Sequence, residues 1–72
     1  MNIHTLRHIH KLLIEDEERN AMGLKWAREA RNAAEDEGDK AKLAKKIEEY
    51  EIMYRAHDES YRALQDFQAH EF

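Results

Sequence analysis

Apolar and aromatic residues recur in alternating steps of four and three through the second half of the chain. Leu43, Ile47, Tyr50, Tyr54, His57, Tyr61 and Leu64 fall on one stripe of an α-helix, and His57 is the polar break in it. The first half carries a stripe of its own at Leu6, Ile9, Leu13, Asp16, Asn20, Gly23, Ala27, Ala30 and Ala34. Between the two lies Gly38-Asp39. Glycine suits the left-handed position just past a helix end, and aspartate suits the N-cap of the next helix. The pattern predicts helices over about residues 3–37 and 40–70. Running the first stripe through Gly38 by the heptad leads to Glu37, Ala41, Ala44, Glu48 and Glu51, a mostly polar line out of phase with the second stripe. A single long helix is therefore disfavoured. The expected fold is all-α, an antiparallel two-helix hairpin that forms one domain, residues 1–72.

In such a hairpin, facing positions move in opposite directions along the chain. Folding at Gly38-Asp39 sets Ala34 opposite Leu43, Ala30 opposite Ile47, Ala27 opposite Tyr50 and Gly23 opposite Tyr54. Small meets large in each layer, which lets the helices approach closely. Gly23 costs about 1 kcal/mol relative to alanine inside a helix, and room for a tyrosine ring explains it. Two polar layers follow: Asn20 opposite His57 and Asp16 opposite Tyr61. A polar core layer of Asp16, Asn20, His57 and Tyr61 would fix register at some cost in stability.

One seam leaves apolar residues over. Leu12, Met22, Trp26 and Ala33 flank the first stripe, with Ile14 and Leu24 further round. Met53, Ala56, Ser60, Ala63 and Phe67 form a second stripe on the second helix. A helix that is apolar over so much of its circumference calls for more than one neighbour. Leu12, Met22, Trp26, Met53, Ala56, Ala63 and Phe67 are thus the expected partner surface, and a homodimer forming a four-helix bundle is the expected assembly.

Composition sharpens this picture. The 72 residues hold no cysteine and no proline, so neither a disulfide nor a thiolate metal site staples a chain too short for a large core. Charged residues are 39% of the chain and the mean hydropathy is −1.01. Such values suit disorder, but the periodic stripes argue for helices. The net charge of −4 disfavours general binding to phosphate backbones. Met1-Asn2-Ile3-His4 opens no secretory signal, and no run of about 18 apolar residues exists to span a membrane. A cytoplasmic protein is expected.

Four clusters could carry chemistry. His4 and His8 share a helix face at a spacing that metal sites use, and the hairpin brings His70 and Glu71 to the same end, with His10 nearby. These read as exposed terminal histidines, and no metal or other cofactor is expected. Glu15, Glu18, Glu48 and Glu51 form two Glu-x-x-Glu pairs of the kind used by all-α, Mg-dependent nucleotide pyrophosphohydrolases. The hairpin separates the pairs by about 15 Å along a helix, so a solvated face with i, i+4 pairs Glu15–Arg19, Glu51–Arg55 and Asp58–Arg62 is favoured. Lys40, Lys42, Lys45 and Lys46 form a basic cluster that nucleic acid could use, but three acids adjoin it and no arginine or aromatic interleaves it. His57 reads as a core residue, with a pH-sensitive switch as its functional alternative. The balance points to a non-enzymatic interaction or regulatory module that binds protein as a homodimer. A small acidic inhibitor of the kind encoded by phages and mobile elements is its specific form; a nucleic-acid-binding hairpin dimer is the alternative.

Overall fold

A computed structural model describes residues 2–71, without the side chain of Glu71. Two helices, α1 (Ile3–Glu37) and α2 (Lys40–Glu71), pack against each other as an antiparallel hairpin. The connection is Gly38-Asp39. Gly38 sits at φ 75° in the left-handed region, and its N–H donates to the Glu35 carbonyl, which closes the helix end. Asp39 begins α2: its carboxylate accepts from the Lys42 N–H at 3.1 Å, the bond an N-cap makes. Asn2 caps α1 in the same way, accepting from the Thr5 N–H at 2.9 Å.

The charges around the turn oppose both helix dipoles. Glu35, Asp36 and Glu37 end α1, and lysines open α2. The turn itself resolves part of the conflict, because Lys42 Nζ reaches Glu37 Oε2 at 2.8 Å across it. That hydrogen bond, and then the Glu37 charge, hold the Lys42 ammonium above its ordinary pKa; desolvation opposes them, and the Asp39 charge adds the least.

The seam is narrow. Ala34 is fully buried, Ser60 is the buried polar residue, and among the described residues no large side chain is fully buried. Small residues therefore mark the points of closest approach. On α1 the seam follows the predicted stripe: Leu6, Ile9, Leu13, Asp16, Asn20, Gly23, Ala27 and Ala30 are half-buried. On α2 the inward line is Leu43, Lys46, Tyr50, Met53, His57, Ser60, Leu64 and Phe67. Half of this agrees with the expected stripe. Ile47, Tyr54 and Tyr61 are instead exposed, so α2 is rotated by about a seventh of a turn from the expected face. The rotation has a physical reason. Ser60 lets the helices come closer than Tyr61 would, and a tyrosine at the seam edge packs its ring while its hydroxyl stays in water.

The hairpin measures 54 × 14 × 12 Å, with a radius of gyration of 16.3 Å. A compact chain of this length would have about 11 Å. Its accessible surface is 5605 Å², against about 4,700 Å² expected for a folded monomer of 8.6 kDa.

Candidate interaction surface

His57 does meet a polar partner across the seam, but it is Glu17. The imidazole Nε2 lies 2.9 Å from Glu17 Oε1, with both side chains about three-quarters buried. An ionised carboxylate only accepts, so Nε2 carries the proton and donates. Ser60 adds to the same layer: its hydroxyl donates to the His57 carbonyl at 2.9 Å. The Tyr61 ring stacks on the imidazole at 6.2 Å between centroids.

The expected polar layer is thus corrected in its pairings. Asn20 is half-buried in the seam but makes no hydrogen bond to His57. Asp16 pairs with Arg19 at 3.6 Å rather than with Tyr61, whose hydroxyl accepts from Gln65 Nε2 at 3.0 Å. The cause is reach. Glu17 stands one residue further round α1 than Asp16, and its longer side chain spans to the rotated α2.

Two residues expected on the partner surface belong mainly to the seam. Met53 covers Gly23, where an added methyl would lie 2.6 Å from the methionine Cε. The space above the glycine is therefore filled by methionine, not by Tyr54. Phe67 stacks on His10 at 5.8 Å, and His10 also contacts Gln68 at 2.9 Å, which closes the open end of the hairpin. Near the turn, the Arg31 guanidinium lies 4.4 Å over the Tyr50 ring, a cation–π contact that apolar periodicity gave no sign of.

The chemistry-bearing clusters do not converge. Among the described residues, no three histidine, aspartate or glutamate side chains gather as a metal site would require. His4, His8 and His70 are exposed, and the Glu71 side chain lies outside the described residues. Glu15 pairs with Lys11 at 3.9 Å, so the expected Glu15–Arg19 pair is replaced, whereas Asp58–Arg62 forms at 3.1 Å. In the basic cluster, Lys42 is engaged by Glu37 and Lys46 by Glu49, which leaves Lys40 and Lys45 without an ion pair. No helix among the described residues is long and apolar enough to cross a membrane.

What remains outward is apolar surface. Trp26 is 64% exposed, Ile52 59% and Tyr54 55%, and Leu12, Met22, Ile47 and Tyr61 are exposed as well. Helical register divides these into two flanks. Gly23 touches Met53 on one side of the seam, and His10 meets Gln68 on the other. Leu12, Met22 and Trp26 of α1 therefore share a flank with Ile52, Ala56 and Ala63 of α2. Ile47, Tyr54 and Tyr61 line the opposite flank, together with a shallow depression formed by Tyr50, Glu51, Tyr54 and Arg55. Sequence reasoning placed Leu12, Met22, Trp26, Ala56 and Ala63 on a common surface but left out Ile52, whose heptad neighbours Lys45 and Glu59 are charged.

Comparison of the chain with protein-family models, curated proteins and solved structures gives no match.

Proposed function

We propose that this protein is a non-enzymatic protein–protein interaction module that works as a homodimer of helical hairpins. The observation that carries the proposal is the mismatch between surface and core. The hairpin exposes roughly 900 Å² more than a folded monomer of its mass should. One side of a standard interface covers about 800 Å². Two hairpins packed flank to flank remove a surplus of that size and give Trp26 and Ile52 an interior.

The dimer then presents an acidic exterior, since each chain carries a net charge of −4. A basic protein surface is the complementary partner. Regulation by occupying such a surface is the form of action that suits a chain whose polar groups are engaged in pairs along a seam. The lysine cluster offers nucleic acid less, because Glu37 and Glu49 engage half of it.

Light scattering across a range of micromolar concentrations tests the proposal. Twice 8.6 kDa is expected, and Trp26→Glu should return the monomer mass. A wild-type monomer throughout the range contradicts it. Salt-sensitive binding to a basic partner would support the acidic mode of action; binding that ignores salt would remove it.

A further inference from the structure

From the placement of Trp26 and Ile52 we infer the geometry of the dimer: the second copy packs on the Trp26/Ile52 flank, head to tail, about a two-fold axis through the layer that holds both residues. This rests on the homodimer proposed above.

Symmetry supplies the first argument. In a two-fold interface, residues at the axis meet their own copies. A charge there would face an identical charge, so the axis needs uncharged residues. Among the described residues, Trp26 and Ile52 are the two most exposed of the large apolar side chains. The register set by the Gly23–Met53 and His10–Gln68 contacts places them within about one residue, roughly 1.5 Å, of the same level. One axis can therefore pass both.

The second argument is charge. Lys45 and Glu59 stand one heptad to either side of Ile52, on the same line of α2. Neither makes an ion pair within the hairpin. With α2 antiparallel to its copy and Ile52 at the axis, Lys45 of each chain meets Glu59 of the other. Ala56 comes opposite Glu49 and lets the helices close.

A competing dimer on the same flank would keep both turns at one end, with Trp26 over Ile52 of the second copy. Joining of Trp26 to Ile52 between copies tells it from the head-to-tail dimer.

The absence of cysteine makes the test clean. Ile52→Cys should be joined to itself in high yield by a short bis-maleimide, while a mixture of Trp26→Cys and Ile52→Cys should give few mixed products. Lys45→Glu and Glu59→Lys should each weaken the dimer about tenfold. Mixing these two variants, or combining them in one chain, should restore it. A mass of two chains with efficient Trp26→Cys to Ile52→Cys joining, or with no rescue by the paired charge reversal, overturns the geometry and leaves the homodimer standing. A wild-type monomer mass overturns both.

Discussion

The hydrogen bond between the half-buried side chains of His57 and Glu17 joins the two helices near the middle of the hairpin, and their pairing is measurable by itself. A double-mutant cycle of Glu17→Ala and His57→Ala, followed by urea unfolding, should give a coupling of about 1 kcal/mol. The cycle of Asn20→Ala with His57→Ala should be additive, because no bond joins those side chains. Equal couplings in the two cycles would contradict the seam described above. At the turn, Gly38 takes φ 75° with open space around its Cα, so its constraint is backbone conformation and not crowding. Gly38→Ala should therefore cost about 1 kcal/mol, and Gly38→Asn less, since asparagine tolerates the left-handed region. A Gly38→Ala variant as stable as the wild type would remove this account of the turn.

At the level of the helices, most of the fold was legible in the sequence. Gly38-Asp39 is the strongest punctuation in the chain, and both helix ends fall where it places them. The α1 stripe and the antiparallel order were legible too, as was half of the α2 stripe: Leu43, Tyr50, His57 and Leu64 lie inward as their spacing implies. The other half was not, for a physical reason. From Tyr50, the inward line can continue through Tyr54 by a step of four or through Met53 by a step of three, and both are apolar. Periodicity cannot choose when each side of a stripe carries large residues. The choice is made by close approach at Ser60 and by the reach of Glu17, neither of which hydropathy records. Gly23 shows the same effect, since its partner is the flexible end of Met53. Gly23→Ala should accordingly be tolerated: the methionine methyl can move aside, and better helix propensity should raise stability by up to about 1 kcal/mol. Gly23→Leu should lower the thermal midpoint, because no small displacement of Met53 makes room for it. A marked loss of stability in Gly23→Ala would show that the approach at this layer is limited by backbone.

The whole molecule is a rod with a seam rather than a body with a core. One alanine and one serine are its buried residues among those described, and its large apolar side chains lie half-buried or exposed. For a chain with no disulfide, packing against another chain is one source of cooperative stability, and the proposed dimer draws it from the flank bearing Leu12, Met22, Trp26 and Ile52. Folding and association should then be one event, and mass action should govern stability. The direct measurement is the thermal unfolding midpoint as a function of protein concentration, followed by circular dichroism. The midpoint should rise by about 4 °C for each tenfold increase in concentration, and the dependence should vanish in a Trp26→Glu chain that remains monomeric. A cooperative wild-type transition whose midpoint is the same at every concentration would mean that the hairpin stands alone, and would contradict the account.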